Sequence, residues 1–404
     1  MESNFSTMGV KLNAVLERYV VGKDLDTSQK LIGASFAVVT KGRPIIECSA
    51  GRIDLNDAGR RFDSKSFNYI ASLTKLITIT CIMQLVERGT LPLDEDVRTT
   101  IPELGTMQIL RGFDGDKPIL EDNTKPITLR MLLTHVVGLG YDIPDPDLIK
   151  WSNHVGRTAR NLDWSKEGFT VPFKFTPGEG WWYGTAIDWA ALLLESATGQ
   201  TLGQYMQANI FHPLGMKDTT FWPGKDFDDR FVAYTSRGGD GELEVVPPPV
   251  DKDSDHPLES GGAGLFSTAH DYSTFMKAFI GGELLKQETM DEMFRPQLDD
   301  VQRAMLHEVV YKPGSHEGFA PEFPEGLKID HGLAGLMNLE DVPGKRAKGS
   351  MTWSGFCNSR WWIDRTNGIG AVLFTNVQPF GDTVVKKLYD ELERCVYENL
   401  EIPS

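Results

Sequence analysis

This chain is poor in the features that announce most protein classes. Its 404 residues hold four cysteines, Cys48, Cys81, Cys357 and Cys395, none at CxxC spacing, so neither a disulfide framework nor a cysteine metal knuckle is written into it. No block of Lys or Arg interrupts a balance of 57 acidic against 41 basic residues, and a formal charge of −16 opposes nucleic acid or an anionic membrane as partner. Nowhere do about 18 apolar residues run consecutively, which argues against a membrane span. The opening Met1-Glu2-Ser3-Asn4-Phe5-Ser6-Thr7 lacks a basic region, an apolar stretch and a small-residue cleavage pattern. With free thiols, the expectation is a cytoplasmic protein.

Missing motifs exclude further chemistry. None of the eight histidines falls into HExxH spacing, and Gly33-Ala34-Ser35-Phe36-Ala37 approaches the Gly-x-Ser-x-Gly elbow but fails at its last position. Gly261-Gly262-Ala263-Gly264 is followed by no Lys that would make it a phosphate loop. Asp251, Asp253 and Asp255 begin like a calcium loop, yet His256 stands where glycine is needed and Gly262 where a bidentate Glu belongs. No metal and no cofactor is expected, and no internal repeat or low-complexity tract is present.

What is there is an ordinary globular composition, 40% hydrophobic, enough to bury a large core. Leu12, Val15, Leu16 and Val20 predict an opening helix over 8–20. Two strands, 33–39 and 44–51, flank the turn Lys41-Gly42-Arg43. From about 90 to 250 the strand signal fades, and helical patterns stand at 127–136, 185–197 and 201–209. The stretch 140–178, with Trp151, Trp164, Phe169, Phe173 and Phe175, reads as a loop-rich wall. A helix follows at 269–279, strands return at 332–338, 348–353, 359–364 and 369–375, and a last helix spans 382–398. Strands at both ends with helices between imply an α+β fold: a sheet domain from residues 1–89 and 251–404 carrying a mainly helical domain at 90–250, with the site in the cleft between them.

The chemistry starts at Ser72-Leu73-Thr74-Lys75, at the mouth of an apolar helix that ends near Arg88-Gly89. Three-residue spacing puts hydroxyl and amine on one helix face, and burial at a positive helix end is the environment in which a lysine can activate a serine. The chain holds no other Ser-x-x-Lys. A second feature, Thr176-Pro177-Gly178-Glu179-Gly180-Trp181-Trp182-Tyr183-Gly184-Thr185, runs a turn into another apolar helix and sets Tyr183 on an irregular segment. A phenol there could take the Ser72 proton and return it to a leaving group. A third, Lys348-Gly349-Ser350-Met351-Thr352-Trp353-Ser354-Gly355-Phe356, is a strand ending at small residues that let a ligand approach the backbone. The residues leave open whether Lys75 or Tyr183 is the primary base.

Together these segments resemble the class C β-lactamase and penicillin-binding-protein superfamily, in its esterase and transesterase branch, which includes acyltransferases of fungal polyketide pathways. Similarity extends through Ile127-Thr128-Leu129-Arg130-Met131-Leu132-Leu133-Thr134-His135, Trp182-Tyr183-Gly184-Thr185-Ala186-Ile187-Asp188-Trp189-Ala190, Pro213-Leu214-Gly215-Met216 and Gly349-Ser350-Met351-Thr352. The resemblance implies a β-lactamase/transpeptidase-like fold, an antiparallel sheet flanked by helices. It implies Ser72 as nucleophile, Lys75 as its activator, Tyr183 as general base, and the backbone N–H groups of Ser72 and Phe356 as oxyanion hole.

Departures shape the expected substrate. Tyr183-Gly184-Thr185 replaces the usual Tyr-x-Asn, and Trp353-Ser354-Gly355 replaces Lys-Thr-Gly, removing the cation that binds a β-lactam carboxylate. Trp182, Trp353, Ser354, Gly355 and Trp361 are therefore read as lining an apolar cleft, with at most one of the adjacent Trp361 and Trp362 facing it. His135 reads as a hydrogen-bonding support rather than a base. The expected partners are a small-molecule acyl donor, an ester or a thioester on CoA or a carrier protein, and an alcohol acceptor. Rival readings are an esterase without a natural acceptor, a peptidase for D-amino-acid substrates, which the missing cation disfavours, and an inactive binding scaffold.

Overall fold

The computed structural model describes residues 2–22, 25–57, 59–143 and 145–400, residues 2–6 by their backbone alone. The elements that position the site are, in chain order, helix α1 (Glu2–Tyr19), strands β1 (Gly33–Thr40) and β2 (Ile46–Gly51), helices α2 (Thr74–Glu87), α3 (Ala186–Thr198) and α4 (Ala269–Gly281), strands β3 (Ile329–His331), β4 (Leu336–Asn338), β5 (Met351–Ser354), β6 (Arg360–Asp364) and β7 (Ile369–Phe374), and helix α5 (Thr383–Glu398). The strands form one antiparallel sheet in the order β2-β1-β7-β6-β5-β4-β3. N-terminal strands thus pair directly with C-terminal ones, Phe36 opposite Leu373. Parity along the strands divides the core. Ala34, Phe36 and Val38 face α1 and α5 with Trp362, whereas Ala37 and Val39 face α2 and α4 with Trp361 and Ile363.

Helix α2 is buried from Thr74 through Leu85, on every face, as its nearly uninterrupted apolar sequence requires. Its first turn lies where the end of β5, α3 and the glycine-rich stretch before α4 meet.

Two stretches differ from expectation. Gln108–Asp114 and Lys117–Asp122 pair as a hairpin within a region where the strand signal is faint. The turn Asp114-Gly115-Asp116 carries a hairpin signal, but the second strand is almost wholly exposed, so no apolar alternation marks it. Residues 140–178 are also more ordered than a loop: Asp145 caps a helix, Pro146–His154, through the N–H groups of Asp147 and Leu148. Trp164, Phe169 and Phe173 are core residues. No described helix is long and apolar enough to cross a membrane.

Candidate active site

Ser72 lies not on α2 itself but on the single 3₁₀ turn that leads into it, Ala71–Leu73. Ala71 has φ +45°, a left-handed conformation that a non-glycine residue adopts at a cost. Neighbours hold it there. Thr74 Oγ1 donates to the Ala71 carbonyl (2.7 Å) and accepts the Leu265 N–H (3.1 Å), while the Tyr272 hydroxyl donates to the Leu73 carbonyl (2.9 Å).

One turn on, Lys75 is 2% exposed. Its Nζ donates to the Gly262 carbonyl (2.7 Å), Ser72 Oγ (3.2 Å) and Tyr141 Oη (3.4 Å), three neutral acceptors for three protons. A carboxyl group meets the same glycine from its other side. Asp188, in the first turn of the apolar α3, accepts from Ser260 Oγ (2.6 Å) and from the Gly262 N–H (3.0 Å), so it holds the residue whose carbonyl, in the next peptide, receives Lys75. Burial pushes the Asp188 carboxyl up, and the Lys75 charge and these hydrogen bonds offset that in part. A Cβ on Gly262 would stand 2.6 Å from Asp188 Oδ2, and one on Gly261 would stand 2.5 Å from Ala191 Cβ, so glycine is required at both.

Tyr183 comes from the segment before α3, and its Oη lies 2.6 Å from Ser72 Oγ. Lys75 Nζ sits over its ring, 4.7 Å from the centroid. The Gly184 backbone presses on Leu139 and Gly140, where a Cβ would meet the Leu139 carbonyl oxygen at 2.3 Å. That contact sets Tyr141 and Tyr183 edge to face at 5.3 Å. Burial, with Tyr183 and Asp188 close by, pushes the Tyr141 phenol well above its ordinary range, so it stays protonated. Thr185 is buried, and its hydroxyl has no partner among the described residues.

The third segment closes the site. Gly355 runs against the Ser72 turn, with no room for a Cβ, which would lie 2.9 Å from the Ile70 carbonyl oxygen. Among the described residues the N–H groups of Ser72 and Phe356 have no hydrogen-bond acceptor, and the Phe356 side chain is 47% exposed.

The structure thus brings Ser72, Lys75, Tyr183, Gly355 and Phe356 together. It corrects part of the expected lining. Trp361 is 0% exposed, part of the core and shut off from the cleft. Trp353, 2% exposed, packs behind Tyr183 at 5.0 Å rather than facing a ligand. Ser354 is buried and its hydroxyl donates to the Gly318 carbonyl (3.0 Å). Trp182 is half-buried against Gly140, with Lys174 Nζ 4.7 Å over its ring. Strand parity cannot reveal such sealing, because it depends on what later elements cover.

His135 lies edge-on to Tyr183 at 4.9 Å and 5.6 Å from His331. Its carbonyl accepts the Trp182 N–H (3.0 Å), but its Nδ1 has no partner among the described residues. Burial, then His331 and Lys75, pushes the His135 imidazole well below its usual range, and burial takes His331 down to about 4. Both are neutral near pH 7 and serve as packing. Sequence reasoning missed Tyr141 and Asp188. For Asp188 a signal existed, a carboxylate amid Ala186-Ile187-Asp188-Trp189-Ala190-Ala191-Leu192.

Comparison with known proteins agrees with this geometry. The lovastatin esterase of Penicillium rubens is 36% identical over 330 residues, covering 75% of this chain and 78% of that protein. The monacolin J acid methylbutanoyltransferase of Aspergillus terreus is 35% identical over 338 residues, 81% of each. Unliganded simvastatin synthase from Aspergillus terreus superposes with a TM-score of 0.87 at 29% identity, covering 98% of this chain and 99% of that one. The Beta-lactamase family profile matches residues 16–394, and the chain belongs to that family.

Proposed function

We propose that this protein is a serine acyl-enzyme that moves an acyl group from an ester or thioester to the alcohol of a bulky apolar small molecule in secondary metabolism. The observation that carries the reading is the placement of Ser72 Oγ between Tyr183 Oη at 2.6 Å and Lys75 Nζ at 3.2 Å. Ser72 Oγ attacks the acyl carbon as Tyr183 takes its proton, and the donor's C–O or C–S bond breaks as that proton passes to the leaving oxygen or sulfur. The acceptor hydroxyl then attacks the Ser72 ester, gives its proton to Tyr183, and Ser72 regains it. The N–H groups of Ser72 and Phe356 would hold the oxyanion in both steps. Lys75 and Ser72 would come from the sheet domain, 1–89 and 251–404, and Tyr183 and Tyr141 from the helical domain, 90–250.

The two fungal relatives, an esterase and a methylbutanoyltransferase, support acyl chemistry with either acceptor, water or alcohol. A thioester on CoA or a carrier protein suits the donor role. The four cysteines are free in the fold, which supports a reducing, cytosolic setting.

A fluorophosphonate probe tests the nucleophile: wild type labels, Ser72→Ala does not, and an unlabelled wild type would overturn the reading. Tyr183→Phe keeps the fold and loses between about a hundredfold and ten-thousandfold of turnover. Incubating the acyl-enzyme with alcohols and measuring ester against free acid separates transferase from esterase.

A further inference from the structure

Four rings surround Tyr183, and they are not equivalent. His135 and Trp353 are buried and close its rear, whereas Tyr141 and Phe319 are half-buried and reach solvent. Any group whose oxygen exchanges a proton with Tyr183 must extend along these two open edges. In acyl transfer that group is the alcohol, leaving or attacking, because Tyr183 handles the alcohol's proton while the acyl carbon stays on Ser72.

Phe319 is edge-on to Tyr183 at 5.6 Å and to Phe380 at 5.5 Å, forming an aromatic wall beside the phenol. An elaborate clamp holds its backbone. The Gly318 carbonyl accepts from Ser354 Oγ (3.0 Å) and Arg360, whose guanidinium also donates to the Glu317 carbonyl (3.2 Å). A Cβ on Gly318 would stand 2.1 Å from Phe380 Cε1. Asn358 secures the Phe380 loop by donating to the Pro379 carbonyl (2.8 Å) and accepting the Gly381 N–H (2.8 Å). Behind the clamp, Glu322 lies 3.5 Å from both Arg360 and Arg346 and accepts from Thr352 Oγ1 (2.8 Å). Buried ion pairs contribute little net stability compared with apolar packing, so their retention here calls for another role, and fixed geometry is one that they supply.

Resting on the reading of Ser72, Lys75 and Tyr183 as an acyl-transfer site, we infer that Phe319 is the residue that selects the alcohol, favouring one with an apolar ring over a small one, and that Arg360 and Glu322 are positioning residues for it. The wall is apolar, and among the described residues no cation other than Lys75 touches Ser72 or Tyr183, which matches a neutral alcohol. This assignment also relocates the apolar lining expected of the tryptophans.

The test holds the acyl group constant and varies the alcohol: kcat/KM for cyclohexylmethyl butyrate divided by that for methyl butyrate, with the fluorophosphonate labelling rate of Ser72 as control. Phe319→Ala lowers the ratio at least tenfold, Phe319→Tyr restores it, and labelling keeps the wild-type rate in both. Glu322→Gln, with Phe319 intact, lowers the ratio in the same direction. An unchanged ratio in Phe319→Ala with labelling intact would overturn the inference, as would a labelling rate that falls with the ratio. Absence of labelling in the wild type would instead sink the acyl-transfer reading itself.

Discussion

Two of the buried groups of charge in this molecule are handled in opposite ways. Around Arg346 every charge meets an opposite one: Glu393 accepts two hydrogen bonds from it, at 2.8 and 3.0 Å, and Glu322 is shared with Arg360. Burial alone would raise the Glu322 carboxyl, but the Arg346 and Arg360 charges outweigh it and hold the group below its ordinary range. Around Lys75 the pairing is withheld. The ammonium is surrounded by a carbonyl, a hydroxyl and a phenol, and Asp188 holds Gly262, the residue whose carbonyl it meets. A fully neutralised network holds a shape, whereas a cation satisfied by neutral acceptors remains available to share a proton with Ser72.

The sharpest way to break this comparison is to remove each cation in turn. Lys75→Met is expected to lower turnover roughly a thousandfold. Its unfolding free energy should fall by about 1–3 kcal/mol, since the buried Gly262 carbonyl loses its donor and the Asp188 carboxyl a favourable charge. Arg346→Met should do the reverse, costing about 3–5 kcal/mol in urea unfolding because Glu393 and Glu322 lose their partner. Ser72 labelling per folded molecule should persist in that variant. If both variants lost stability alike, or both lost labelling alike, the distinction between the two groups would disappear.

His331 supplies a third, smaller case, a buried titratable group that carries no charge at all. Its folded pKa of about 4 lies below the unfolded value of about 6.5, so above pH 6.5 neither state is protonated and nothing is lost. As pH falls from there toward 4, the unfolded state gains the proton first, and stability drops by up to about 3 kcal/mol from this residue. His331→Gln should flatten the urea-unfolding free energy between pH 7 and pH 4.5 by a measurable part of that amount. An identical slope in the variant would remove His331 from the acid response.

Much of the fold was legible because it rests on periodicity. The hairpin 33–51, the helix after Ser72, α3, α4, β5, β6, β7 and α5 all appear within a few residues of their expected places, whereas the single strand expected at 332–338 is instead a tight hairpin of β3 and β4 with its turn at 332–335. The Gln108–Asp122 hairpin escaped because its exposed outer strand buries nothing that would leave a pattern. At the site, Ser72 and Lys75 were readable from local spacing, and Tyr183 from motif order along the chain. Tyr141 was not, since nothing in Gly138-Leu139-Gly140-Tyr141 says that the Gly184 backbone will press on Gly140 and carry the phenol to Lys75. Trp353 and Trp361 misled for the complementary reason: aromatic content suggested a lining, while burial had assigned both rings elsewhere.

By itself the sequence determined which groups can do chemistry and which elements carry them, because side-chain type and helical or strand repeat are properties of a few neighbouring residues. The tertiary structure alone decided which aromatic rings stay open beside Tyr183, that Asp188 and Lys75 meet the two ends of Gly262, and that a buried ionic clamp stands behind Phe319. These are contacts across tens to hundreds of residues. Their outcome depends on the closing of the whole core, and no local pattern encodes it.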